Sequence, residues 1–128
     1  LIVSKDLYPC APGVNASGAH GVTVTLLMTS LTASARDSDI VARYGGEEFV
    51  MLLVETGQAG AVTVAERVRD SISKRAITAD GVSVGITTSI GIACFRGDGD
   101  SLTEMLNRAD KALYRAKEGG RNRAEVAI

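Results

Sequence analysis

Ile40-Val41-Ala42-Arg43-Tyr44-Gly45-Gly46-Glu47-Glu48-Phe49-Val50-Met51-Leu52-Leu53-Val54 sets two apolar runs on either side of a Gly-Gly pair. Such a pair between apolar runs is a hairpin signal, because tight turns need backbone angles that glycine adopts freely. The same residues are a candidate site. A turn of two glycines leaves backbone N–H groups open and lets a phosphate approach closely. Glu47 and Glu48, directly after it, can hold Mg2+ or Mn2+, cations that take oxygen ligands and bridge to substrate phosphates. The plain alternative is an exposed hairpin tip with solvated acids, since Gly-Gly-Glu-Glu is common in turns.

Downstream, Val62, Ala65, Val68 and Ile72 recur at helical spacing, with Glu66, Arg67, Arg69 and Asp70 on other faces. Residues 82–86 and 87–95 read as two more strands, with Gly85 as the point of a second hairpin. Gly97-Asp98-Gly99-Asp100 reads as a loop. The last helix is the clearest element. Ser101 and Glu104 form a capping box, and Leu102, Met105, Leu106, Ala109, Ala112, Leu113 and Ala116 make one apolar stripe. Tyr114 is expected to pack on that side, and Gly119-Gly120 to end the helix.

Upstream, Leu1-Ile2-Val3 is a short strand candidate, and Pro9 to Gly21 reads as a loop holding a solvated His20. Val22-Thr23-Val24-Thr25-Leu26-Leu27-Met28 alternates like a β-branched strand, yet Val24, Leu27, Met28, Leu31 and Ala35 fit helical spacing. Both readings stay open on local pattern. The order of elements predicts an α+β sandwich, helices on a mostly antiparallel sheet.

The chain has 128 residues, 45% of them hydrophobic, and a net charge of -1. That is one domain's length with an ordinary composition, and it gives no sign of a nucleic-acid or membrane-binding face. Cys10 and Cys94 belong to no ligand spacing and read as reduced thiols of a cytosolic protein. No run of 18 apolar residues exists, and no signal-peptide layout. The opening on Leu1-Ile2-Val3 suggests a strand cut from a longer protein. A single domain over residues 1–128, part of a larger signalling protein, is therefore expected.

Arg43-Tyr44-Gly45-Gly46-Glu47-Glu48-Phe49 resembles the signature of the GGDEF family of diguanylate cyclases, in its GGEEF form. Asp39-Ile40-Val41-Ala42-Arg43, Ala65-Glu66-Arg67-Val68-Arg69 and Ser89-Ile90-Gly91-Ile92-Ala93 agree with it. So does the ending from Arg108 to Arg123, and the resemblance covers Arg36 to Arg123. It implies a palm-like (ferredoxin-like) nucleotidyl-cyclase fold. It also implies a homodimer, each domain holding one GTP, that makes cyclic di-GMP with Mg2+ or Mn2+. Gly45 and Gly46 would cradle phosphates, and Glu47 and Glu48 would bind metal and activate the 3′-hydroxyl. Lys117 and Arg121 would hold the triphosphate; at i and i+4 around a helix end, both cations reach one anion. Attached sensory or effector domains and a cytoplasmic location, free or as part of a membrane-bound sensor, are implied as well. The family also favours a helix over residues 22–35, since packing overrides local propensity.

The resemblance fails before Arg36. Counting back from Gly45 without gaps, the family's first metal-binding Asp falls on Ser4, while Asp6 keeps the second as a weak ligand. The phosphate-binding Lys falls on Pro9 and the base-reading Asn on Pro12. The next Asp falls on Gly13, the Gly-His pair on Ala16-Ser17, and the second guanine-contacting Asp on Gly21. Proline offers neither amine nor amide and removes a backbone donor. Each lost hydrogen bond to a charged partner is worth about 1.5–3 kcal/mol, so three or four losses remove several powers of ten in rate.

Arg36-Asp37-Ser38-Asp39 fits the RxxD pattern of the family's inhibitory site, which binds intercalated cyclic di-GMP. Arg36 would clamp phosphate or guanine, Asp39 would accept from a guanine edge, and Arg67 would add a clamp from a neighbouring domain. A bland reading makes Arg36 and Asp39 a surface pair at a helix end. The expectation is a catalytically impaired domain that binds cyclic di-GMP or regulates. An active diguanylate cyclase is the alternative, and a vestigial dimerisation element the third.

Overall fold

The structure is a computed structural model that describes residues 2–9, 28–45, 48–74, 76–79 and 82–128. In chain order its elements are β1 (Ile2–Pro9), α1 (residues 28–34), β2 (Ile40–Gly45), β3 (Glu48–Leu52), α2 (Gln58–Ser73), β4 (Ala76–Ala79), β5 (Val82–Ile92), α3 (Leu102–Glu118) and β6 (Arg123–Val126). One sheet takes the order β2-β3-β1-β5-β4, with β6 added alongside β5. Every pairing is antiparallel except β5 with β6.

Successive residues of a strand face opposite sides, and the core divides accordingly. Phe49 and Met51 pack with Leu31 of α1, with Ala61, Ala65, Val68 and Ile72 of α2, and with Ile86, Ile90 and Ile92. Val50 joins the other face, against Ala93, Ala109 and Leu113. Full burial of such aliphatic side chains is worth about 1.5–3 kcal/mol each. Two layers of helix thus enclose β5, whose apolar run is buried on both sides.

Gly91 sets how closely α3 can lie. A Cβ there would fall 2.0 Å from the Ala109 carbonyl oxygen and 2.5 Å from the Leu113 nitrogen. Backbone leaves no room to yield, so only glycine fits. At the start of α3 the Ser101 hydroxyl accepts from the Glu104 N–H at 3.1 Å. The reciprocal half of the expected capping box is replaced: the Ser101 N–H donates to Asp100 Oδ1 at 3.0 Å. Asp100 in turn receives both Nη1 and Nη2 of Arg108, each at 2.8 Å, tying the preceding loop to the helix.

Several expectations are corrected. β1 continues through Pro9, where a loop was expected to begin; proline at a strand's last position removes only a terminal donor. Residues 82–92 form one strand, not two joined at Gly85, and the second hairpin is β4 with β5. Tyr114 is 65% exposed and sits beside the stripe, not in it. Of residues 22–35, the part from 28 to 34 is helical and Leu31 is fully buried; Pro12, Gly13, His20, Gly21 and Cys10 lie outside the described residues. Among the described residues no helix is long and apolar enough to cross a membrane.

Candidate functional site

The hairpin read from the sequence is β2 with β3. Its ladder runs from Ile40↔Leu52 to Arg43↔Phe49 and then shifts to Gly45↔Glu48. Gly46 and Glu47 lie outside the described residues, so Gly45 and Glu48 represent the motif. A Cβ on Gly45 would meet nothing within 4 Å, and its φ is not left-handed. Among the described residues, neither packing nor backbone geometry requires glycine there.

Four strands carry the site across the sheet in one row. Glu48 of β3 pairs with Ser4 of β1, Ser4 with Ser89 of β5, and Ser89 with Arg123 of β6. With strands about 4.8 Å apart, the row spans roughly 14 Å. Asp6 stands further along β1, opposite Thr87. The C-terminal end of α3 lies over the same side, because α3 crosses Gly91 at Ala109 and Leu113 and runs on toward the start of β6. Register thus brings the hairpin and the end of α3 to opposite ends of one row.

A cation-bearing turn closes α3. The Arg121 N–H donates to the Ala116 carbonyl at 2.9 Å and the Gly120 N–H to the Lys117 carbonyl at 3.4 Å, the two bonds of a Schellman motif. Gly120 takes φ +115, as that motif demands, but Arg121 and Asn122 follow at φ 64 and 45. Left-handed backbone costs a non-glycine residue about 1–2 kcal/mol, so the surroundings must enforce it. Arg121 is therefore past the helix, and the i, i+4 geometry expected of Lys117 and Arg121 does not hold. Lys117 is half-buried in the last helical turn, and Arg121 is exposed.

At the other end of β2 the RxxD residues meet. The Asp39 side chain is 2% exposed: Oδ2 accepts from the Arg36 N–H at 2.9 Å and Oδ1 from the Val54 N–H at 3.0 Å. The Arg36 N–H, with help from that of Val54, holds its carboxyl below the usual range against the opposing effect of burial. The Arg36 guanidinium, 59% exposed, donates through Nη2 to the Val54 carbonyl and to Thr56 Oγ1 at 2.8 Å. Its Nε lies 3.6 Å from Asp39 Oδ2. So Arg36 is held yet open, while Asp39 is a buried tie between β2 and the end of β3. Arg67 is exposed on α2, about 14 Å along the helix from its start, and no hydrogen bond links it to Arg36.

Comparison with known proteins identifies the family and the fold. Residues 23–123 match the family described as diguanylate cyclase, GGDEF domain. The chain belongs to that family. The match reaches further toward the N-terminus than Arg36 and leaves out residues 1–22, which hold Ser4 and Asp6. Diguanylate cyclase DgcM of Escherichia coli is 44% identical over 127 residues, covering 99% of this chain and 30% of DgcM. Diguanylate cyclase A of Treponema denticola is 34% identical over 127 residues, 99% of this chain and 34% of its own. The chain thus spans about a third of these relatives.

Among solved structures, the diguanylate cyclase SiaD of Pseudomonas aeruginosa, in complex with its activator SiaC, superposes with a TM-score of 0.81 at 31% identity. That likeness covers 98% of this chain and 49% of SiaD. The GGDEF domain of DgcB from Caulobacter crescentus, in complex with c-di-GMP, gives a TM-score of 0.74 at 28% identity, over 98% and 77% of the two chains.

Proposed function

We propose that this domain serves cyclic di-GMP signalling as a receptor or regulatory module, and that its capacity to condense GTP is lost or strongly reduced. The observation that carries this reading is the centre of the row: Ser4 stands between Glu48 and Ser89, where the family's first metal-binding carboxylate falls. Tested against its chemistry, the donor set does not fit Mg2+ or Mn2+ well. A hard divalent cation draws on carboxylates, and the position paired with Glu48 is a serine, a neutral residue, with Asp6 two positions further along β1. Glu47 and Glu48 thus keep the metal-binding and hydroxyl-activating roles only if another oxygen replaces Ser4.

Arg36 supports the receptor half. An exposed, planar guanidinium held by two acceptors loses little freedom when it clamps a phosphate or guanine. Asp39 acts behind it as the residue that positions it, and Arg67 of a second copy adds the outer clamp. The functional unit in this reading is a homodimer with attached sensory or effector domains.

The alternative, an active diguanylate cyclase, has its own observation. Gly45 has no role in packing, and the turn after α3 keeps Arg121 in a costly conformation. Both suit Gly45, Gly46, Lys117 and Arg121 as holders of a triphosphate.

One incubation separates the two. Protein stripped of nucleotide is given GTP with Mg2+ or Mn2+ at concentrations that favour dimers, and cyclic di-GMP is sought chromatographically. Its absence is expected; product that vanishes in Glu48→Gln establishes the cyclase instead. Cyclic di-GMP titrated into wild type and Arg36→Ala then tests the receptor: binding lost in the variant is expected, and equal affinity removes the assignment.

A further inference from the structure

Arg121 is held through its main chain by two hydrogen bonds, and its neighbour Asn122 is held by a helix on the opposite face of the sheet. The Arg121 N–H is bound by the Ala116 carbonyl, and its carbonyl accepts from Arg123 Nε at 3.2 Å. Cβ atoms on Gly119 and Gly120 would each come within 2.9 Å of the Arg123 guanidinium, so those glycines leave it room. Next along the chain, Asn122 Oδ1 accepts from Arg69 Nη1 of α2 at 3.0 Å. Arg69 is itself oriented by Glu66, whose Oε2 takes Nε at 3.0 Å and Nη2 at 2.9 Å. The Arg69 side chain is 23% exposed and that of Glu66 46%, and the bond to Asn122 lies at the surface.

We infer that Glu66, Arg69 and Asn122 are positioning residues that fix the left-handed turn at Arg121 and so aim its guanidinium at an anionic ligand. The inference rests on the reading that Lys117 and Arg121 hold a triphosphate. Its physical basis is the pair of consecutive left-handed residues. Asn tolerates that region better than most residues, and a side-chain bond from α2 selects it. Without the bond the turn can relax to ordinary angles, and Arg121 then points elsewhere although every helix and strand stays in place.

The probe is inorganic triphosphate, titrated calorimetrically into the domain at low ionic strength. It engages the phosphate-binding half without requiring the guanine contacts. Arg121→Ala tests the underlying reading: if wild type binds and this variant is weaker, the reading stands; if neither binds or both bind alike, the reading and the inference fail together. Asn122→Ala removes the link without changing charge and should weaken binding about tenfold, the usual scale for groups that orient a ligand-binding residue. In an Arg121→Ala background the same substitution should cost nothing further, because Asn122 acts only through Arg121. Arg69→Lys keeps the charge but cannot serve Glu66 and Asn122 together, and should match Asn122→Ala. If wild type binds through Arg121 but Asn122→Ala is silent, or costs as much with Arg121 absent, the positioning role is overturned while the triphosphate reading survives.

Discussion

The two ends of β2 carry motif residues of very different kinds. At the start of the strand, both Asp39 carboxylate oxygens are consumed by backbone N–H groups, and Arg36 Nη2 by Val54 and Thr56. The fold alone gives a reason to keep Asp39. At its far end Gly45 touches nothing that a methyl group would disturb. A retained residue is strong testimony for ligand binding only where the fold has no use for it. Gly45 meets that standard, Asp39 does not, and Arg36 falls between them.

The largest effect expected in breaking this comparison comes from Gly91, which sets the distance between α3 and the row. Gly91→Ala drives a Cβ into backbone, and we expect a loss of about 3 kcal/mol or more, roughly 10 °C in Tm by calorimetry. An unchanged Tm would mean that α3 sits further from β5 than the 2.0 Å approach requires.

Next, Ser4→Asp returns a carboxylate to the centre of the row beside Glu48. Affinity for Mn2+, followed by electron paramagnetic resonance, should rise about tenfold or more, the scale of gains and losses at metal-site residues. No change would place any metal away from this row.

Asp39→Asn gives one of the two N–H donors a weaker acceptor and sets the other against an amide NH2, and we expect it to cost about 2 kcal/mol in urea denaturation at pH 7. The sign of its pH dependence follows from the lowered carboxyl. A group whose folded value lies below its unfolded one contributes stability above about pH 4, and loses it as the pH falls through the folded value. The gap between wild type and Asp39→Asn should therefore be constant from pH 7 to 5 and close below pH 4. A gap that persists at pH 3 would show that charge is not what Asp39 contributes.

The smallest effect sharpens the contrast. Gly45→Ala should move stability by less than about 0.5 kcal/mol, as for other open surface positions, while weakening inorganic triphosphate. A large loss of stability would give Gly45 a role in the fold and place it with Asp39.

Much of the fold was legible. The hairpin, α2 and α3 follow from apolar periodicity and caps, since each announces its buried face within a few residues. β4 has only a faint local signature, the Asp80-Gly81 hairpin signal ahead of Val82, whereas the more prominent Gly85 lies inside a strand. β6 was missed because Arg123–Val126 is four residues long, and a parallel partner contributes no local signal. Tyr114 was misplaced by one helical position, enough to turn a ring from the core to solvent.

What the sequence by itself determined is the family and the inventory of groups: a Gly-Gly-Glu-Glu turn, an RxxD segment, cations at Lys117 and Arg121, and an N-terminal stretch whose one carboxylate is Asp6. Those are matters of residue type and spacing along the chain. Tertiary structure alone decided that Glu48, Ser4, Ser89 and Arg123 share one row, that Asp39 is buried behind Arg36, and that Arg69 reaches Asn122. These depend on which strands lie side by side and on a fork bridging 53 positions of chain. Pairing at that range follows from burying both faces of β5 at once, and no local pattern encodes it.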